Sequence, residues 1–402
     1  MSEVQDLSQD QGEEDEPIVS VLPQSATDRM IEREYEQGRL RVVQDKNDFF
    51  LPHVVDFIRG RRWGNLRPEY QRRLRWDNQK KSRLIESFIM NVPVPPVFLY
   101  ESSLGAYEVM DGQQRLNAVV EFLAGEFSLS GLKIWPSLNG RSFAQLPPLI
   151  RRGLERAKIS AITLTSDLAG GGDDSIDLRA QVFDRLNTGG ERLNQQELRN
   201  SLYAGRFNKM IVDLAGHPTF TAVWDIPAYA DNMLSDRTPS RELKDNNLFK
   251  RMLDCEIVLR FFAFRDHKHV QGAVRSILDN SMKRNRDLGE VEVIALRERF
   301  VEALETARLI FGTETFRLPP AAGKAQGLLS RPLYDAQMVA IDQLIDRKQE
   351  LLDQAPKIRE SIQALASPGS EAYELIVGRA NTASAILARI NLVREAIASA
   401  IA

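Results

Sequence analysis

Asp111-Gly112-Gln113-Gln114-Arg115 places a carboxylate, two amides and a guanidinium on five consecutive residues. Upstream, Ala106-Tyr107-Glu108-Val109-Met110 has the aromatic and β-branched character of a strand. Downstream, Leu116, Val119, Val120 and Leu123 recur at helical spacing. A turn from strand to helix brings unpaired backbone N–H groups to one point, and those groups attract anions. Gly112 permits close approach of a ligand to the backbone, and Arg115 offers a planar fork for phosphate oxygens. Asp111 complicates an anion site, because a bare carboxylate repels phosphate. A divalent ion bound near Asp111, or an arginine pair, is therefore expected in the bound state. The plainer alternative makes Asp111 an N-cap and Gln114 its capping-box partner. That alternative leaves Gly112 and Arg115 without a task.

Two further segments are candidates to meet this turn. Tyr70-Gln71-Arg72-Arg73 precedes a helix and lies in the stretch from Arg59 to Glu86, which has ten Lys or Arg against three acids. Such a stretch is either a solvated face or a contact surface for phosphates. Asn187-Thr188-Gly189-Gly190-Glu191 reads as a helix stop, or as a second backbone wall in which Asn187 and the glycine N–H groups hold a ligand. Other chemistries fit less well. The glycines do not match a Walker loop, and one cysteine with four histidines argues against structural zinc. Asp266-His267-Lys268-His269 reads as a surface loop after a helix end, ahead of a metal site or a histidine nuclease motif.

Positioning these residues requires a mixed set of elements. Arg39 to Val43 reads as a short strand, and Leu51 to Ile58 as a helix ending near Gly60. Asp77 suits an N-cap for a helix whose apolar face is Leu84, Ile85, Phe88 and Ile89, stopped by Asn91-Val92-Pro93-Val94-Pro95-Pro96. Val97 to Tyr100 and Tyr107 to Met110 read as a hairpin, so the polar turn ends a hairpin and starts a helix. Ile159 to Thr165 is a further strand, and a helix follows through Leu178, Val182, Phe183 and Leu186. Asn194 and Glu197 have capping-box spacing for the next helix. Beyond residue 200 the pattern is helical, notably Phe249 to Phe264, Val291 to Phe311, Leu333 to Leu365 and Ser370 to the C-terminus. The fold class read from this is α+β: a mixed domain to about residue 205, then helices.

Composition bounds the rest. The 402 residues suffice for two domains, and no apolar run approaches the roughly 20 residues of a membrane-spanning helix. The first sixteen residues carry seven acids and no base, so residues 1–26 are expected to be a disordered tail rather than a signal peptide. The lone Cys255 sits in an apolar helical pattern, fits a core position and suits a reducing cytoplasm.

Six stretches occur in the order of one known domain: Tyr70-Gln71-Arg72, Leu84 to Ser87, Val92 to Pro96, Asp111 to Arg115, Phe183 to Gly189 and Leu193 to Arg199. Over about residues 40–205 the chain resembles the N-terminal domain of GmrSD-type restriction endonucleases, domain of unknown function 262. The resemblance implies a ParB- and sulfiredoxin-like domain at 27–205 that binds or hydrolyses nucleoside triphosphates in defence against phage, followed by a helical scaffold or partner-binding domain at 206–402. It makes Asp111, Gln113, Gln114 and Arg115 the active loop. Gln71 and Arg72 would be phosphate ligands, with Gly112, Asn187 and Gly189 nearby. A divalent cation, magnesium by its chemistry, would accompany the nucleotide at Asp111. Complete members carry an HNH-like nuclease domain with a histidine-centred motif, yet the last hundred residues here contain no histidine. Nuclease activity is thus expected to be absent or supplied by a separate nuclease subunit, with no membrane involved and self-association left open. The alternatives are a nickase whose DNA contacts would be Arg61, Arg62, Arg67, Arg73 and Arg75, and a non-enzymatic adaptor for a partner nuclease.

Overall fold

The computed structural model describes residues 30–33, 42–60, 76–103, 106–166, 182, 194–203, 205–233, 239–320, 323–324 and 326–402. Four strands, β1 (Val42–Phe50), β2 (Val97–Ser103), β3 (Ala106–Asp111) and β4 (Lys158–Ser166), form one sheet in the order β1-β4-β2-β3. β2 and β3 make the expected antiparallel hairpin. β2 also runs parallel to β4, with Val97 opposite Ala161 and Tyr100 opposite Leu164, while β1 lies antiparallel to β4.

Alternation along the strands divides the molecule. Val97, Leu99, Ile159 and Ala161 face one core, shared with α1 (Leu51–Arg59), α2 (Asn78–Ile89), α3 (Gln113–Leu123) and α4 (Pro148–Arg156). Tyr100, Met110 and Leu164 point the other way, into a larger core built with helices beyond residue 194. The sheet away from the exposed edge strand β1 is therefore a partition buried on both faces. Its apolar residues occupy successive positions, as a doubly covered sheet requires.

The second core holds α5 (Gln195–Leu202), α6 (Arg206–Ala215), α7 (Leu253–Arg265), α8 (Val274–Asn285), α9 (Glu290–Phe311), α10 (Arg331–Gln343), α11 (Ala355–Leu365) and α12 (Ala383–Ala400). Every residue of α10 from Leu333 to Asp342 is buried, which marks it as the central helix. The architecture is α+β: a small mixed sheet with its helices, then a mainly helical part.

Several boundaries differ from the sequence reading. The first strand continues to Phe50, because its polar residues Gln44 to Asp48 sit on an exposed edge and conceal its strand character. The expected helix from Phe249 begins at Leu253, after Met252 turns to φ 55°. Leu333 to Leu365 is interrupted after Gln343, and α11 restarts at Ala355 with Pro356 in its first turn. The C-terminal segment is also two helices, since Gly378 (φ 79°) ends Tyr373–Val377 and Thr382 caps α12. The expected tail at 1–26 and most of the helix through Leu178 lie outside the described residues.

Candidate functional site

The polar turn is built by two stops and one glycine. Asp77 Oδ1 accepts the Lys80 N–H at 2.7 Å and starts α2. That helix ends where Asn91 takes φ 55° and the proline-rich segment begins. The segment feeds β2, the hairpin returns along β3, and Gly112 opens α3 at φ 93°. A Cβ on Gly112 would lie 2.4 Å from Val97 Cγ1 and 2.9 Å from Val97 Cβ. Backbone and neighbour together demand glycine here.

Asp111 does not cap α3. Gly112 is the N-cap residue, and no side chain caps the first turn. The Asp111 carboxylate instead pairs through Oδ2 with Arg115 Nη2, one helical turn along. Arg115 Nη1 donates to the carbonyls of Pro95 at 2.6 Å and Pro96 at 3.1 Å. The guanidinium thus clasps the proline segment to the turn, with Nη1 on the two carbonyls and Nη2 on Asp111. Asp111 side-chain exposure is 35% against 13% for Arg115, so the carboxylate is the outer member of the pair.

Gln114 faces inward. It is buried, and its Oε1 accepts the Trp76 N–H at 3.4 Å. Asn117 and Glu121 continue the same buried face of α3, and Glu121 pairs with Lys81 of α2 at 2.7 Å. This polar seam holds Trp76 and the start of α2 against the turn. Gln114 Nε2 and Asn117 Nδ2 are buried in the seam and have no hydrogen-bond partner among the described residues.

The remaining candidates divide by location. Asp111, Gly112, Gln113, Gln114 and Arg115 are brought together as one turn. Gln71, Arg72, Asn187 and Gly189, and the DNA-contact candidates Arg61, Arg62, Arg67, Arg73 and Arg75, lie outside the described residues. Among the described residues, no group of three or more His, Cys, Asp or Glu is placed to hold a metal. A single carboxylate at the turn suits a magnesium ion that takes most of its ligands from phosphate and water, rather than an all-protein cage. His269 Nδ1 is 2.6 Å from Asp266 Oδ2 and His267 Nε2 contacts Gln343 Nε2, so both histidines serve the end of α7. Cys255 is buried in the second core.

Sequence reasoning missed one set of residues. The capping box of Asn194 and Glu197 is present, with Asn194 accepting the Glu197 N–H at 2.9 Å. Gln196, Arg199 and Asn200, on the same helix, are also buried. With Glu197 they make four buried polar residues within the eight of α5, a burial that their residue types alone do not signal.

These features define a mixed-sheet domain that presents a charged strand-to-helix turn and is continued by a helical unit. Residues 54–204 match the family model described as GmrSD restriction endonuclease, N-terminal domain. That match suggests the domain of a restriction-type defence module. No curated protein and no solved structure matched the chain. Among the described residues, no helix is long and apolar enough to cross a membrane.

Proposed function

We propose that the turn binds a nucleoside triphosphate with a divalent cation and hydrolyses it, as the sensor module of a restriction-type defence system. The observation that carries this reading is the Arg115 clasp: a guanidinium held at the turn by Asp111 and the Pro95 and Pro96 carbonyls, beside a helix start that only glycine can occupy. A bound divalent cation supplies charge neutralisation between phosphate oxygens. Asp111 takes part in holding it, and this offsets the repulsion its carboxylate would otherwise exert on phosphate. Arg115 stabilises the β- and γ-phosphates, joined by Gln71 and Arg72 from the basic stretch and by Asn187 and Gly189 from the second wall. Gln113 orients the attacking water, while Gln114, turned toward Trp76, positions the basic stretch. The helices from residue 206 onward receive the signal and present it to a separate nuclease subunit. Arg61, Arg62, Arg67, Arg73 and Arg75 offer the DNA backbone a basic contact.

Calorimetric titration of the full chain with each ribonucleoside triphosphate and magnesium tests the reading. Arg115→Lys keeps the charge and loses the fork. With hydrogen bonds to charged groups at about 1.5–3 kcal/mol, affinity should fall at least about tenfold. Equal affinity in the two proteins would overturn the assignment of Arg115.

A further inference from the structure

The matched domain ends at residue 204, yet its last helix does not pack as an end. Arg199 of α5 is buried to 2% exposure, and its ionic partners come from helices beyond the match. Arg199 Nε donates to Asp279 Oδ1 of α8 at 2.7 Å, and Nη1 to Glu256 Oε2 of α7 at 3.2 Å. Asn200 and Asn194, on or beside the same helix, likewise reach Met252 Sδ at 3.3 Å and the Arg251 carbonyl at 2.5 Å.

The charges continue inward. Glu256 and Arg260 are one turn apart on α7, on one face of the helix. Arg260 forms a two-pronged pair with Asp335 of α10, Nε to Oδ1 at 2.9 Å and Nη2 to Oδ2 at 2.6 Å. Burial alone would lower the Arg260 pKa, but the Asp335 carboxylate raises it, with Glu256 adding in the same sense. Asp335 in turn lies in the field of Arg389, a buried residue of α12 that donates to the Leu375 carbonyl at 2.5 Å and the Ala380 carbonyl at 3.1 Å.

We infer that Asp279, Arg199, Glu256, Arg260, Asp335 and Arg389 form one chain of alternating charge, partly exposed at Asp279 and Glu256 and buried at the other four, that couples the GmrSD-type domain, through α5, to the C-terminal helix α12. Sign alternates at every step, so removing one charge leaves its neighbours uncompensated in a medium that screens poorly. A perturbation at α5 is therefore felt at α10 and α12, and by linkage one at α10 is felt at α5. The helical unit is thus an electrostatically tied extension of the domain rather than an appendage. This inference is independent of which ligand the turn binds.

The test is amide hydrogen exchange on the full chain, read at residues 195–202 and 383–400. Glu256→Gln keeps shape and hydrogen-bonding capacity while breaking the alternation. Asp335→Asn does the same further along. Glu256→Gln should speed exchange in α12 by about fivefold, and Asp335→Asn should speed it in α5. The double variant should depart from the product of the single effects by at least about threefold, whereas uncoupled sites multiply. Effects confined to the helices touching each substituted residue, or a simple product in the double variant, would overturn the coupling. Should either variant fail to fold, Asp279→Asn at the more exposed end of the chain gives the same readout at α12.

Discussion

Gly112→Ala should cost the protein about 2–5 kcal/mol. Holding a non-glycine residue in the left-handed region costs roughly 1–2 kcal/mol, and overpacking a filled core adds about 1–3 kcal/mol. Both apply here, since Gly112 sits at φ 93° and a new Cβ would meet the fully buried Val97 at 2.4 Å. That Cβ would also lie 3.2 Å from Arg115 Nη2, so relief of the clash disturbs the clasp. Urea unfolding would measure the loss, and the double variant with Val97→Ala separates its causes. Space made at Val97 relieves the clash and leaves the backbone strain, so recovery should be partial once the cost of truncating Val97 is subtracted. A single variant within about 0.5 kcal/mol of the parent, the range of ordinary surface changes, would contradict this account of the turn.

The second large effect belongs to α10. Asp335→Ala should destabilise the protein by about 3–5 kcal/mol, because it strands Arg260 in the core without its partner. Arg389 loses the same counter-charge. Replacing Arg260 by Met in the same protein removes the stranded charge, so the double variant should be more stable than Asp335→Ala alone. Urea unfolding of the three variants checks the order. A double variant less stable than the single would mean that the two residues matter through packing and not as a pair.

Local signals were legible where short-range physics decides the structure. The Asp77 cap, the helix ending at Gly60, the hairpin and the Asn194–Glu197 capping box depend on residues within a few positions of one another, and each is where the sequence placed it. Helix ends governed by tertiary packing were not legible. Met252 adopts a left-handed backbone that its residue type does not advertise, and the breaks after Gln343 and at Gly378 fall inside continuous apolar patterns. The pairing of β2 with β4 joins strands more than fifty residues apart, which no local pattern encodes.

At the turn, residue types announced a charged site but not its internal wiring. Asp111 looks like a cap in one dimension. In three dimensions Gly112 takes that position, and Asp111 is drawn to Arg115. The proline segment read as a helix stop, and it also supplies the carbonyls that accept from Arg115. Gln114 reads as a companion of Gln113, but successive helical residues point about 100° apart, and Gln114 is buried in the seam with Trp76.

The most direct measurement is phosphate release from ATP, GTP, CTP and UTP with magnesium, comparing the parent protein with Arg115→Lys. Release from at least one nucleotide by the parent is expected, with a loss on the order of a hundredfold in the variant, the scale of removing one preorganised charge stabiliser. Equal release from the two proteins, or none from the parent with any nucleotide, would contradict hydrolysis at this turn.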